Sequence, residues 1–131
     1  MPSLTQISAD EFRDRFYSFY DSTIRKIEIA YAKDSERVVT ALIETRDAKE
    51  SKNEGWVCVR LEIRRAQDFC FSDTANTSNA LLSHGINVCW FKGIIGLDFG
   101  HFVDPPDNLD ELKSSKCFAT GYSVDWTVEP Y

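Results

Sequence analysis

The sequence predicts a mainly β domain of the α+β class: an antiparallel β-sandwich or open barrel of six to seven strands, with one N-terminal helix packed on it. Apolar residues recur at helical spacing only near the N-terminus and alternate with polar residues over most of the remaining chain. Polar turn segments separate the alternating stretches, as expected for strands that meander through an antiparallel sheet. Because no linker, repeat or low-complexity segment divides the 131 residues, we expect a single compact domain over 1–131.

The predicted helix covers residues 9–19. Phe12, Phe16 and Tyr20 follow one another at four-residue spacing, which places their rings on one face of a helix. Ser8 precedes this stretch and is a favoured N-cap residue. The helix is therefore expected to begin after Ser8 and to bury its aromatic face against a sheet.

The predicted strands follow the helix. In the first, Ile27, Ile29 and Tyr31 alternate with polar residues and are expected to be buried on one face. Lys92-Gly93 is expected to form the tight turn of a later hairpin. The other predicted elements are strands over 37–45, 56–65, 69–71, 86–91, 94–100 and 117–130, an exposed hairpin loop over 46–55 and a helical turn over 107–113. In the last strand, the residues expected to share one face are Phe118, Thr120, Tyr122, Val124, Trp126 and Val128.

The charge balance limits the classes of partner. With 21 acidic and 15 basic side chains, the formal net charge is −6. A negative field repels phosphate backbones and anionic lipid, so we expect no nucleic acid and no membrane among the partners, and a basic protein instead. The N-terminal residues lack the basic and apolar regions of a secretory signal, and no stretch approaches the roughly 20 apolar residues of a membrane helix. A cytoplasmic location is therefore expected.

The reactive residue types show no motif of an enzyme or a metal site. The four cysteines are Cys58, Cys70, Cys89 and Cys117. They lack a C-x-x-C pair, so we expect free, mostly buried thiols and no metal site. Motifs of hydrolase nucleophiles and of nucleotide-binding loops are missing, which predicts no catalytic residues and no cofactor. The alternative is a small cysteine-dependent enzyme with Cys89 or Cys117 as its nucleophile. Its base would be one of the two histidines, His84 and His101.

Two stretches carry a resemblance to a known group of proteins. FYDSTIRKIEI (19–29) resembles the opening of small bacterial proteins in which the first strand follows an aromatic residue or His, then Asp, then Ser or Ala. SNALLSHGINVCWFKGIIGLDFG (78–100) is similar to their later segment of strand, glycine, strand, short turn and strand. Such proteins occur among the immunity proteins of polymorphic toxin systems and their uncharacterised relatives, although Tyr20 stands here where His is more usual. The resemblance implies a protein that neutralises a bacterial toxin by occlusion.

The acidic loop is the candidate contact site for such a partner. We use this name for the segment VDPPDNLDE (103–111), which concentrates Asp104, Asp107, Asp110 and Glu111 beside two prolines. Loops between strands commonly carry recognition residues, and clustered carboxylates steer a basic partner. The sequence thus predicts a non-enzymatic binding protein of the immunity type, with a β-barrel or sandwich that binds a small ligand as the alternative.

Overall fold

In the computed structural model the described residues are 1–32, 34, 36–73, 78 and 80–129. Two α-helices and nine strands account for most of them. In chain order the elements are α1 (Ala9–Arg15), β1 (Ser22–Tyr31), β2 (Arg37–Arg46), β3 (Trp56–Arg64), β4 (Phe69–Phe71), β5 (Leu81–Leu82), β6 (Ile86–Phe91), β7 (Ile94–Phe99), α2 (Leu109–Leu112), β8 (Cys117–Gly121) and β9 (Ser123–Glu129). The helical turn expected over 107–113 is confirmed by α2.

The strands form two antiparallel sheets. The larger sheet has the order β5–β1–β2–β3–β9, and the smaller has the order β4–β8–β7–β6. Over the described residues the two sheets are separate, so the predicted mainly β class is confirmed in its sandwich form. The nine strands exceed the expected six to seven, because the short β5 was not predicted and the last predicted strand is divided in two.

The segment predicted as one last strand, 117–130, changes sheet at Tyr122, so that prediction is wrong (residue 130 lies outside the described residues). β8 pairs with β7 in the smaller sheet, whereas β9 pairs with β3 in the larger one. Gly121 permits this crossing, because a Cβ atom there would lie 2.7 Å from the carbonyl oxygen of Arg64. The Tyr122 N–H donates to that same oxygen, and the Tyr122 side chain is 53% exposed. The residues expected to share one face therefore belong to two sheets.

The N-terminal helix ends earlier than expected. α1 stops at Arg15, and a 3-10 turn over Tyr17–Phe19 follows it. The φ angles in this turn are 54° to 61°, in the left-handed region, which changes the direction of the chain. Phe19 therefore joins Phe16 in the core, and Tyr20 is exposed. The expected burial of Phe16 is confirmed, and that of Tyr20 is wrong.

The residues before α1 lie along β9. The Leu4 N–H donates to the Val124 carbonyl at 2.8 Å, and the Trp126 N–H donates to the Pro2 carbonyl at 2.9 Å. These bonds cover the outer edge of β9. The helix begins directly after Ser8, as expected, and Ser8 is its N-cap residue, but the Ser8 side chain makes no cap bond.

The core lies between the two sheets and is closed on the β9 side by aromatic rings. The fully buried side chains of the facing strands include Val39, Ala41, Ile43, Val59, Leu61, Ile63, Ile86, Ile95 and Leu97. Phe12, Phe16 and Phe19 pack on one another, and Phe12 and Phe16 also pack on Trp126 of β9, with ring centroids 5.0 to 5.7 Å apart. This aromatic cluster also confirms the expected burial of Phe12.

β1 is less buried than its alternation predicts. Ile27 is half-buried, Ile29 is 41% exposed and Tyr31 is 73% exposed. The expected burial of Ile29 and Tyr31 is wrong, because beyond Thr23 no described strand lies on the outer side of β1 to cover them.

Candidate functional site

The acidic loop lies between β7 and β8, and its four predicted contact residues are all exposed. These residues are Asp104, Asp107, Asp110 and Glu111. None of them forms an ion pair with any residue that the structure describes. Their charges are accessible to a partner, and their role in binding stays a prediction.

A buried carboxylate fixes both ends of the acidic loop. Asp98, near the end of β7, is fully buried. Its Oδ2 accepts the Phe102 N–H at 2.9 Å, and its Oδ1 accepts the Ser115 hydroxyl at 2.8 Å. The Asn87 side chain on β6 donates to the Phe102 carbonyl at 2.8 Å. Because residues 102 and 115 flank the loop, these bonds hold both of its ends to the smaller sheet.

The C-terminal part of the acidic loop is held by α2. Leu112 is fully buried over β7, where a Cβ atom on Gly96 would lie 2.5 Å from its Cδ2. The Asn108 side chain accepts the Glu111 N–H at 2.8 Å, and the Glu111 carboxylate accepts the Asp107 N–H at 3.3 Å. These reciprocal bonds act like a capping box and fix the backbone that carries the exposed carboxylates.

Other connecting segments emerge at the same end of the sandwich as the acidic loop. The strand registers place the start of β1, the end of β2 and the start of β3 at one level, and the end of β7 beside the start of β8. Close contacts join the smaller sheet to the turn after α1 and to the larger sheet there. A Cβ atom on Gly85 would lie 2.1 Å from the Ser18 carbonyl oxygen, and one on Gly100 would lie 3.3 Å from the Leu82 Cα. Several loops thus meet at one end, a common arrangement for recognition.

An aromatic cleft opens at this end and forms a second candidate site, which sequence reasoning missed. We give this name to a cleft of about 420 Å³ lined by Phe16, Tyr17, Tyr20, Asp21, Thr45, Arg46 and Trp56. Tyr17 and Tyr20 are exposed, and the Arg46 guanidinium lies 5.4 Å from the Trp56 ring centroid. Tyr, Trp and Arg are the residue types that contribute most to binding energy at interfaces.

Backbone strain concentrates beside the aromatic cleft. The φ angles are 54° at Tyr17, 55° at Ser18, 61° at Phe19 and 58° at Asp21. Such angles cost L residues on the order of 1–3 kcal/mol each and occur preferentially at ligand and active sites. The segment contains no glycine, so no sequence signal indicated the left-handed turn.

The residues of the cysteine-enzyme alternative do meet in one place. Cys117, His84 and His101 line a small cleft of about 160 Å³. However, burial and the charge of Asp98 raise the pKa of Cys117 to about 12. Burial likewise raises the pKa of Cys89 to about 11. At neutral pH both thiols stay protonated, which is the opposite of what a cysteine nucleophile needs.

The arginines of β3 are paired with carboxylates of the same sheet. Arg60 contacts Glu62 and Glu129 at 3.3 Å each. Arg64 contacts Glu62 at 2.7 Å and Asp125 at 3.0 Å. These pairs offset the positive charge of the strand. In the same described residues, no group of three His, Cys, Asp or Glu could hold a metal ion, and no helix is long and apolar enough to cross a membrane.

Comparisons with known proteins give no indication of function, so any functional proposal depends on the residues described above. No family model, curated protein or solved structure matches the chain. The resemblance of residues 19–29 and 78–100 to immunity proteins therefore stays a prediction.

Proposed function

We propose that this chain is a non-enzymatic binding protein whose acidic loop recognises a basic protein partner. Following the sequence resemblance, the partner is a bacterial toxin that the chain neutralises in the cytoplasm by occlusion. One observation carries the proposal: four exposed carboxylates, without ion pairs among the described residues, stand on a loop whose ends are bound to the buried Asp98.

Preorganisation separates the acidic loop from an ordinary solvated run of charges. Binding normally costs free energy for the ordering of loops and side chains at the interface. Here the buried Leu112 and the bonds of Asp98 already hold the backbone of the loop. A basic surface would meet carboxylates on a fixed backbone, and complementary charge mainly speeds association.

The test uses the genes that flank this one. The product of each flanking gene is expressed alone and together with the chain. Growth arrest that the chain relieves, together with a complex of the two purified proteins, supports the proposed function. Harmless flanking products, or a toxic product that the chain neither binds nor neutralises, contradict it.

Two matched variants locate the contact on the chain. The loop variant carries Asp104→Asn, Asp107→Asn, Asp110→Asn and Glu111→Gln. The control variant carries Asp10→Asn, Glu11→Gln, Asp14→Asn and Glu54→Gln, all at exposed positions outside the loop. Both variants remove four negative charges from a net charge of −6, and Gln at position 111 can still accept the Asp107 N–H. We expect only the loop variant to bind the partner more slowly.

The aromatic cleft favours a second function, the binding of a small ligand. Its volume of about 420 Å³ lies within the range of small-molecule sites, and strained backbone borders it. The purified protein would then carry a small molecule, detected by native mass spectrometry. Tyr20→Ala and Trp56→Ala variants should lose it, whereas Tyr122→Ala should keep it. Protein purified without any bound molecule would contradict this second function.

A further inference from the structure

The two edges of the larger sheet are covered to different extents. At one edge, β9 bonds to the N-terminal residues Pro2 and Leu4. At the other, β5 pairs only with Ser22 and Thr23 of β1. Beyond Thr23, β1 has β2 on one side and no strand of the described residues on the other.

One hydrogen bond identifies the backbone groups of β1 that face outward. The Ala32 N–H donates to the Glu36 carbonyl at 2.8 Å, across the hairpin that joins β1 to β2. In an antiparallel pair, successive residues direct their N–H and C=O groups to opposite sides of the strand. Ile27, Ile29 and Tyr31 therefore direct these groups away from β2. No hydrogen bond from the described residues reaches them.

The second half of β1 carries only one of the features that protect natural edge strands, the exposed charged pair of Lys26 and Glu28, and has neither a bulge nor a proline. Bulges, charged side chains and prolines commonly prevent an edge from pairing with another chain. β1 has a bulge between Ile24 and Lys26, at its protected first half. Its second half instead exposes Ile29 by 41% and Tyr31 by 73%.

We propose that the outer edge of β1 binds the same edge of a second copy of this chain, which joins two larger sheets into one. Two-fold pairing centred on Ile29 places Ile29 opposite its own copy and Ile27 opposite Tyr31 of the second copy. Every outward N–H and C=O group of these three residues then has a partner. On the other face Glu28 lies opposite Ala30, so no like charges meet.

Two-fold pairings of β1 that are centred on other residues should be less stable than the pairing centred on Ile29. Pairing centred on Ile27 would place Tyr31 opposite Thr23, where β5 already pairs. Pairing centred on Glu28 would place two Glu28 carboxylates opposite each other, which destabilises a strand pair. A shift in the other direction pairs fewer residues of β1 and forms fewer hydrogen bonds. The edge is thus self-complementary in one register.

The test is sedimentation velocity of the full chain over a range of concentrations, at low and high salt. We expect a shift from monomer to dimer as concentration rises. The shift should be larger at high salt, because salt screens the repulsion between two chains of net charge −6. Binding of a basic partner to the acidic loop should instead weaken at high salt. The dimer proposal and the proposed function can therefore be contradicted independently of each other.

Charged substitutions locate the interface. Ile29→Lys and Tyr31→Lys should keep the chain monomeric at every concentration, with the melting temperature of the dilute protein checked for each. Tyr122→Lys makes the same change as Tyr31→Lys at another exposed tyrosine and should dimerise like the unmodified chain. A chain that stays monomeric throughout, or lysine variants at 29 and 31 that dimerise normally, would overturn the proposal.

Cysteine cross-linking tests the register. In a Cys70→Ser background, which removes the exposed thiol, Ile29→Cys should form a disulfide-linked dimer on mild oxidation. Directly opposite residues have Cα atoms about 4.5–5.5 Å apart, within the range of a disulfide. Glu28→Cys should cross-link far less, because its copy is displaced along the strand. Efficient cross-linking at position 28 and not at 29 would contradict the register.

Discussion

The two edges of the larger sheet, at β9 and at β1, differ in how far other residues cover them. At β9, the N-terminal residues add hydrogen bonds to the edge, and Phe12 of α1 and the following Phe16 pack against Trp126. At β1, the outward backbone groups of the second half have no partner among the described residues, and Ile29 and Tyr31 are exposed. Among the described residues, one edge is covered by the chain itself, and the second half of the other is not.

The comparison separates side chains that are buried in the fold from side chains that are exposed, and the two groups should respond differently to truncation. Truncation of side chains on the β9 side should lower the free energy of unfolding, because they are buried. Truncation on the β1 side should alter association and leave the monomer stable. The acidic loop combines the two properties, since the residues that hold its ends are buried and its carboxylates are exposed.

The largest effect is expected at Phe16, which is fully buried at the centre of the aromatic cluster. Phe16→Ala should lower the free energy of unfolding by about 3–5 kcal/mol, because it removes a buried ring and leaves a cavity. Denaturation by urea measures this change. A loss below about 1 kcal/mol would show that the helix side does not stabilise the sheet.

The ion pair of Arg15 and Asp47 should give the next largest effect. The guanidinium donates to both oxygens of the Asp47 carboxylate, at 2.9 and 2.8 Å, and so ties α1 to the segment after β2. Asp47→Asn should lower the free energy of unfolding at neutral pH by about 1.5–3 kcal/mol, since it removes a charge-assisted hydrogen bond. Arg15→Lys is the matched change on the other partner and should cost less, because both charges of the pair remain and only the two-pronged hydrogen bonding is lost.

The effect of Asp47→Asn should depend on pH. The hydrogen bonds from Arg15 hold the pKa of the Asp47 carboxyl below its ordinary range. The carboxylate therefore stabilises the fold above the ordinary pKa of about 3.9 and loses this contribution as pH falls through the lowered value. In urea denaturation at decreasing acidic pH, the free energies of unfolding of the unmodified chain and of Asp47→Asn should become equal. A difference that is constant with pH would assign the effect to packing alone.

Tyr31→Thr should have a small effect on the β1 side. The side chain is 73% exposed, and Thr retains a high preference for strands. In dilute protein the free energy of unfolding should change by no more than about 0.5 kcal/mol, as for other surface substitutions. A loss as large as that of Phe16→Ala would mean that β1 is covered in solution by the chain itself.

Reductant should have no effect on the melting temperature, because all four cysteines are free. Thiol reagents should modify the exposed Cys70 first in the folded protein and reach the buried Cys89 and Cys117 only on unfolding. Unfolded protein should yield four reactive thiols. A rapid reaction of Cys117 in the folded state would instead support the cysteine-enzyme alternative.

The sequence predicted those features that depend on neighbouring residues. Alternation identified β1 and β3 of the larger sheet, because the side chains of a strand face its two sides in turn. The Lys92-Gly93 turn between β6 and β7 was also predictable, and both residues have the positive φ angles of a hairpin turn. The exposure of the acidic loop followed from its charge.

Features that depend on distant residues were not predictable from the sequence. The crossing at Tyr122 is set by the approach of Gly121 to Arg64, far away in the chain. Asp98 lies in a short apolar stretch, and nothing in the sequence indicates that Phe102 and Ser115 bond to it. The exposure of Ile29 and Tyr31 follows from the position of β1 at the edge of the sheet, which alternation does not reveal.

Recognition of a basic protein by the acidic loop is tested most directly by association kinetics with the partner that the flanking-gene experiment identifies. The rate constant is measured across ionic strength for the unmodified chain, the loop variant and the control variant. We predict that the loop variant associates more slowly at low salt and depends less on salt, whereas the control variant behaves like the unmodified chain. Equal salt slopes for all three proteins would contradict the account and place the interface elsewhere.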